Sequence, residues 1–96
     1  MSSFLSREEA QNLMAQGGLV VDVRSVGEYT TGHAPDSLNL PLHLIPALAE
    51  ERLPRHLPLL LCCHSGARSA AAAEYLRPLG YDAHNLGPWV AHPDFS

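Results

Sequence analysis

The chain has 96 residues, of which 46% are hydrophobic and 17% charged, and its formal net charge is -4. This length and composition predict a single soluble globular domain, residues 1–96, and exclude a disordered chain. All six basic residues are scattered arginines, and no apolar run approaches the roughly 20 residues of a membrane-spanning helix, so we expect neither a nucleic-acid nor a membrane partner.

Patterns typical of strands and helices alternate along the sequence. Apolar runs rich in leucine and valine predict strands, and Ser-x-x-Glu capping boxes at Ser6 and Ser25 predict helix starts. In chain order, the predictions are a helix from Ser6 to the glycines at 17–18, a strand at 19–23, a short helix at 25–30, a short strand at 38–41, a helix at 42–53, and a strand, a helix and a strand at 59–62, 68–79 and 82–86. This order favours an α/β fold with a central, mainly parallel sheet flanked by helices.

The last predicted elements are bounded by glycine and proline. Pro78 is expected to fray the last turn of the helix at 68–79. The Gly87-Pro88 pair is expected to end the last strand. Beyond it, Trp89, Val90 and Phe95 predict an apolar tail that packs back on the domain.

The only two cysteines, Cys62 and Cys63, lie where a predicted buried strand meets a Ser/Gly loop and an alanine-rich helix. Backbone N–H groups in such a loop can point at one atom, and the helix N-terminus adds partial positive charge. Both effects stabilise a thiolate, which is the nucleophilic form of cysteine. In parallel sheets, ligands bind beyond the carboxyl ends of the strands, where Asp22 and Arg24 are also expected.

Several motifs in register resemble the rhodanese-type sulfurtransferases. The segment from Cys63 to Ser69 is similar to the Cys-x-x-Gly-x-Arg-Ser active loop of that family. The other matching motifs are Asp22-Val23-Arg24, Glu28-Tyr29, Gly32-His33-Ala34-Pro35, Asn39-Leu40-Pro41, Leu79-Gly80-Tyr81 and Asn85-Leu86-Gly87. Asp36-Ser37 stand where a Gly-Ala pair is usual, and Pro88 replaces the second glycine of a common pair.

The resemblance implies a rhodanese-like three-layer domain that transfers sulfur. In this family the cysteine corresponding to Cys63 takes a sulfane sulfur from a donor such as thiosulfate, holds it as a persulfide and gives it to cyanide or a thiol. This covalent chemistry needs a thiolate, convergent donors and an open approach, and it implies no cofactor or metal. A persulfide as donor and a thioredoxin-like or other protein thiol as acceptor are further candidates.

The resemblance also assigns the substrate-binding residues, which are His64, Ser65, Gly66, Ala67, Arg68 and Ser69. Arg68 either contacts an anionic donor or caps the loop, and Ser69 either reaches the sulfur or satisfies backbone N–H groups at the helix start. Asp22, Arg24 and Glu28 are expected to form one polar set that supports the site.

Counting to Arg68 leaves two assignments for the nucleophile. From Cys63 the spacing is Cys-x4-Arg, as in sulfurtransferases, and from Cys62 it is Cys-x5-Arg, as in cysteine phosphatases. Gly66 fits the first count, and Cys62 then faces the core because side chains alternate along a strand. A Cys62-based phosphatase or arsenate reductase, and a persulfide carrier or partner-binding module, are the alternatives.

Adjacent cysteines cannot form loop-closing disulfides, which suits a reducing compartment. The N-terminus also lacks the pattern of a signal peptide, so we expect a cytoplasmic protein.

Overall fold

The computed structural model of the chain describes residues 4–95, with the side chain of Phe95 excepted. The helices are α1 (Arg7–Ala15), α2 (Val26–Thr30), α3 (Ile45–Arg52) and α4 (Ala67–Leu76), and the strands are β1 (Leu19–Asp22), β2 (Leu38–Asn39), β3 (Leu59–Cys63) and β4 (Ala83–Pro88). Short 3-10 turns occupy Leu42–Leu44, Arg77–Leu79, Trp89–Ala91 and Pro93–Phe95. None of the helices in this part of the chain is long and apolar enough to cross a membrane.

The four strands form one parallel sheet in the order β2-β1-β3-β4. Alternate residues of β3 face opposite sides of it. Leu61 and Cys63 pack in the larger core cluster with buried residues of α3 and α4, whereas Leu60 and Cys62 pack in a second cluster with Ala10 of α1. The sheet therefore separates α1 from α3 and α4, which confirms the predicted three-layer α/β architecture, and the two cysteines lie on opposite faces.

Both predicted capping boxes form. The Ser6 Oγ accepts a hydrogen bond from the Glu9 backbone N–H (3.1 Å), and the Glu9 carboxylate accepts one from the Ser6 N–H (2.8 Å). Ser25 and Glu28 repeat this exchange at the start of α2. Each box satisfies N–H groups that have no partner within the helix.

The end of β4 differs from its prediction. The strand does not end before Gly87-Pro88 but runs through both residues, because a register shift sets Asn85 opposite Leu61 and Gly87 opposite Cys62. Gly87 has a φ of 93°, which glycine adopts without strain. The shift brings the end of β4 beside Cys63.

The helix predicted at 68–79 is α-helical only to Leu76 and continues as a 3-10 turn, which confirms the expected fraying of its last turn at Pro78. In the predicted apolar tail, Trp89 packs against the second core cluster, but Val90 is 56% exposed. The prediction that the whole tail packs on the domain is therefore wrong. The side chain of Phe95, also assigned to this tail, lies outside the described residues.

A buried ion pair holds the carboxyl end of β1. The Arg24 Nη2 lies 2.7 Å from the Asp22 Oδ2, and Asp22 and Arg24 are 0% and 4% exposed. Arg24 also donates a hydrogen bond to the Gly32 carbonyl (2.7 Å). Its guanidinium lies over the Trp89 ring, 4.9 Å from the centroid. Arg24 thus joins β1, the segment after α2 and the 3-10 turn that follows β4.

Arg24→Ala should strongly destabilise the fold, because it leaves the buried Asp22 carboxylate without its counter-charge. We expect a loss of about 3–5 kcal/mol in the free energy of unfolding, measured by urea denaturation at neutral pH. The matched control is Arg52→Ala on the exposed end of α3, which should change that free energy by no more than about 0.5 kcal/mol. Equal, small losses in both variants would show that the buried pair is not a major support.

Candidate active site

The sequence-predicted site residues converge at the carboxyl edge of the sheet. Cys63 is the last residue of β3, and α4 begins at Ala67, so only three residues connect strand and helix. Gly66 makes this short turn possible with a φ of 101°, in the left-handed region that glycine favours. The Cys63 side chain therefore lies under the N-terminus of α4.

The Cys63 sulfur is surrounded by hydrogen-bond donors. The Gly66 backbone N–H donates to the Sγ at 3.0 Å, and the Ser69 Oγ lies 3.4 Å from it. Burial raises the pKa of the Cys63 thiol, but the Ser69 hydroxyl and the backbone N–H groups of Ser69, Gly66 and Ser65 lower it, and the net direction is downward. The environment favours the thiolate.

Cys63 has no solvent-exposed surface. The open approach expected from the sequence is therefore not seen, because the tight turn from Cys63 to Ala67 brings the loop backbone over the sulfur. His64 and Ser65 are exposed on the outer side of this turn.

Cys62 has the opposite environment. It is fully buried among apolar residues of the second core cluster, which include Val20 and Leu86. Burial, followed by the charge of Asp22, raises the pKa of its thiol far above the usual range. Cys62 therefore stays a neutral thiol in the core, as the alternation of side chains along β3 predicts.

Asn85 organises the far side of the loop, a role that the sequence analysis did not assign to it. Its Oδ1 accepts a hydrogen bond from the Gly87 N–H (3.0 Å) and lies 2.7 Å from the Ser69 Oγ, whose single proton can be donated either to this oxygen or to the Cys63 sulfur, and its Nδ2 donates to the Gly66 carbonyl (3.1 Å). The backbone donor and acceptor fix the orientation of this amide. Asn85 thus positions Ser69 beside the Cys63 sulfur. The only sequence signal for this role was the Asn85-Leu86-Gly87 motif.

Phe4 is a second residue near the site that the sequence patterns do not predict. Its ring packs over Gly66 and Gly87, and a side chain at either glycine would overlap it. The adjacent Leu5 N–H donates to the Asn85 carbonyl (2.9 Å), which holds this segment along β4. Phe4 belongs to no periodic apolar pattern of a helix or strand, so nothing in the sequence predicts this contact.

Glu28 belongs to a different ion pair from the one expected. It does not join Asp22 and Arg24, because its carboxylate binds the Arg68 guanidinium through two hydrogen bonds of 2.7 and 3.0 Å. Arg68, together with the Ser25 backbone N–H and hydroxyl, lowers the pKa of Glu28 to about 2. The pair joins α2 to the first turn of α4, so the side chain of Arg68 is directed to Glu28.

Comparison with known proteins identifies the fold family. The sequence profile of the rhodanese-like domain matches residues 6–87. The chain belongs to the rhodanese-like domain family. It is 44% identical over 63 residues to a sulfurtransferase of Allochromatium vinosum, a match that spans 66% of this chain and 58% of that protein. It is 39% identical over 75 residues to the thiosulfate sulfurtransferase GlpE of Pseudomonas savastanoi pv. phaseolicola, a match that spans 77% of this chain and 69% of that protein.

Solved structures agree with this assignment. A rhodanese homolog from Thermus thermophilus is 38% identical to this chain, with a TM-score of 0.70, over 93% of this chain and 96% of that one. A rhodanese-like domain protein from Staphylococcus aureus is 27% identical, with a TM-score of 0.77, over 97% and 91% of the two chains. This rhodanese-like chain departs from the usual motifs of the family at Asp36-Ser37 and at Pro88, and the local backbone accommodates Asp36 and Pro88. Asp36 adopts a φ of 56°, which aspartate tolerates better than most residues, and Pro88 is the last residue of β4.

Ser69→Ala should raise the pKa of the Cys63 thiol, because the variant removes a hydroxyl that stabilises the thiolate. The pKa can be measured from the pH dependence of thiolate absorbance or of alkylation by iodoacetamide. Ser65→Ala is the matched control, since it removes an exposed hydroxyl but keeps the Ser65 backbone N–H, and it should leave the pKa unchanged. An unchanged pKa in Ser69→Ala would contradict this account of the thiolate.

Glu28→Gln should remove a pH-dependent contribution to stability. A carboxyl group whose pKa is lowered by folding stabilises the protein above its unfolded-state pKa, near 4.3, and this stabilisation is lost as the pH falls through the folded-state value of about 2. The difference in unfolding free energy between wild type and Glu28→Gln should therefore shrink between about pH 5 and pH 2. Gln preserves the capping box.

Arg68→Met is the companion variant, because it removes the main cause of the lowered pKa. It should lose most of the same pH dependence. A wild-type advantage over Glu28→Gln that stays constant across this pH range would contradict the pairing.

Proposed function

We propose that this protein is a rhodanese-type sulfurtransferase that carries a sulfane sulfur as a persulfide on Cys63. The observation that carries the proposal is the stabilised thiolate at the carboxyl end of β3, with the Gly66 N–H 3.0 Å from the sulfur. Membership of the rhodanese-like family and similarity to proteins named as sulfurtransferases support it.

With thiosulfate as donor, the proposed reaction has two displacements. The Cys63 thiolate attacks the outer sulfur, a new S–S bond forms, and sulfite leaves with the electron pair of the bond that breaks. In the second step, cyanide or a thiolate attacks the terminal sulfur of the persulfide and regenerates the Cys63 thiolate. The steps balance without a further oxidant or reductant, and they have the form of covalent ping-pong catalysis.

The chain's own residues stabilise the anionic sulfur in each state. The N–H groups of Ser65, Gly66 and Ser69 and the Ser69 hydroxyl are the donors that favour the thiolate of Cys63. They are fixed before reaction by the start of α4 and by Asn85, so little reorganisation accompanies the change from thiolate to persulfide. The burial of Cys63 suits attack on a single terminal sulfur.

Thiosulfate is the donor that the name of the Pseudomonas relative favours. A persulfide donor and a thiol acceptor, including a thioredoxin-like or other protein thiol, use the same chemistry. A Cys62-based phosphatase or arsenate reductase gains no support from the geometry, because Cys62 lies on the opposite face of the sheet with a strongly raised pKa. Its thiolate would not form near neutral pH.

The test compares Cys63→Ala with the matched variant Cys62→Ala. After exposure to thiosulfate and removal of excess reagent, wild type and Cys62→Ala should gain one sulfur atom by intact mass, and Cys63→Ala should gain none. Thiocyanate formation with cyanide should fall by at least about a thousandfold in Cys63→Ala, because the nucleophile is removed. It should stay within about threefold of wild type in Cys62→Ala, which changes only a core position.

Three results would redirect the assignment. Sulfur gain and turnover that persist in Cys63→Ala would overturn the nucleophile. Cys62-dependent hydrolysis of an aryl phosphate would support the phosphatase alternative. A persulfide that forms on Cys63 but is not discharged by cyanide or small thiols would favour a carrier that passes sulfur to a protein partner.

A further inference from the structure

One hydroxyl proton in the buried network around Cys63 has more than one acceptor within reach. The Ser69 Oγ lies 2.7 Å from the Asn85 Oδ1, 3.1 Å from the Gly66 carbonyl oxygen and 3.4 Å from the Cys63 sulfur. A serine hydroxyl carries a single proton, so these three atoms compete for it. Ser69 is 0% exposed and Asn85 3% exposed, so both groups are shielded from bulk water.

The other donors of this network are fixed. The Asn85 Nδ2 donates to the Gly66 carbonyl (3.1 Å), the Gly87 N–H donates to the Asn85 Oδ1 (3.0 Å), and the Gly66 N–H donates to the Cys63 sulfur (3.0 Å). Each of these N–H groups belongs to a planar amide, whereas the Ser69 hydroxyl can turn about its Cβ–Oγ bond. When the Ser69 proton leaves the Asn85 oxygen, the Gly87 N–H still satisfies that oxygen. The turn therefore leaves no buried acceptor without a partner.

The charge on the Cys63 sulfur decides which acceptor receives the proton. While this sulfur is a neutral thiol, or the inner sulfur of a persulfide, the Asn85 amide oxygen is the better acceptor, and the 2.7 Å separation is usual for an O–H···O hydrogen bond. A thiolate carries a full negative charge, and a hydrogen bond to a charged group is about twice as strong as one between neutral groups. The Ser69 hydroxyl should therefore turn from Asn85 to Cys63 when the thiolate forms.

We propose that Asn85 is a positioning residue that holds the Ser69 proton while the Cys63 sulfur is uncharged and releases it to the sulfur when the thiolate forms. Its part in catalysis rests on the proposed function. In the second displacement the acceptor bonds to the terminal sulfur, the S–S bond breaks, and the Cys63 Sγ leaves with the electron pair as a thiolate. The Ser69 hydroxyl turns to this leaving sulfur and keeps its proton, so the step needs no further reagent. Asn85 thereby restrains thiolate formation, and its removal should make Cys63 more acidic.

The first test is a double-mutant cycle on the pKa of the Cys63 thiol, measured from the pH dependence of its alkylation. Asn85→Val removes the amide oxygen and fills its place with methyl groups. It should lower the pKa by about half a unit to one unit, because the neutral thiol state loses a hydrogen bond that the thiolate state does not use. In the Ser69→Ala background, which has no proton to hold, the same substitution should shift the pKa by no more than about 0.3 unit. Leu86→Val is the control on β4, since Leu86 packs in the second core cluster, and it should leave the pKa unchanged.

A purely structural role for Asn85 predicts the opposite sign. Loss of the amide would then displace Ser69 from the sulfur and raise the pKa of the Cys63 thiol, as Ser69→Ala does. A raised pKa in Asn85→Val, or an equal lowering in both backgrounds, would overturn the inference.

A second measurement keeps Asn85 in place and does not depend on how a variant at this position folds. The Gly87 N–H shares the Asn85 oxygen with Ser69, so its hydrogen bond should strengthen when the Ser69 proton leaves. In a pH titration followed by NMR, the Gly87 amide proton should move downfield with the same pKa as the Cys63 thiol, and Ser69→Ala should abolish this movement. A Gly87 resonance that does not follow Cys63, or that follows it equally in Ser69→Ala, would contradict the release of the proton.

A single-turnover experiment separates this inference from the proposed function. Protein loaded with sulfur from thiosulfate is discharged by cyanide. Ser69→Ala should slow the discharge by about fivefold, because the leaving thiolate loses a donor, whereas Asn85→Val should match or exceed the wild-type rate. Equal slowing in both variants would overturn the inference while the proposed function stands. If wild type gains no sulfur, the proposed function fails, and the pKa cycle and the Gly87 titration still decide whether Asn85 holds the Ser69 proton.

Discussion

The hydrogen bond from the Gly66 N–H to the Cys63 sulfur is the contact on which the rest of the site depends. It exists because a buried strand, a turn and a helix meet within five residues, and the turn requires the left-handed backbone of Gly66. A side chain there would be strained by its φ and would overlap Phe4. Burial alone would make Cys63 a poor thiolate, as it does Cys62. The donors at the start of α4 reverse that effect for one of two adjacent cysteines.

Two ion pairs divide the support of this edge between them. Asp22 and Arg24 are buried and stabilise the fold, because neither charge can lose its partner without a large desolvation cost. Glu28 and Arg68 are partly exposed and join α2 to α4. The first pair holds the sheet edge, and the second holds α2 to α4. Treating the three residues Asp22, Arg24 and Glu28 as one set hides this division.

Local signals in the sequence predicted much of the fold. Capping boxes, strand-like apolar runs and glycine stops depend on residues a few positions apart, and they located the helices and strands with small errors. Alternation along β3 also predicted the separation of Cys62 from Cys63. Contacts between distant segments gave no such signal. Asn85 meets Ser69 across 16 positions of sequence, and Glu28 meets Arg68 across 40. Tertiary packing created these contacts.

The most direct test of the central claim is a crystal structure of the protein after exposure to thiosulfate. The account predicts one additional sulfur atom bonded to the Cys63 Sγ, with the donors from the Ser65 to Ser69 segment around the sulfur pair and Cys62 unchanged in the core. An additional sulfur on Cys62, or an unmodified Cys63 in protein whose mass shows that it has gained sulfur, would contradict it.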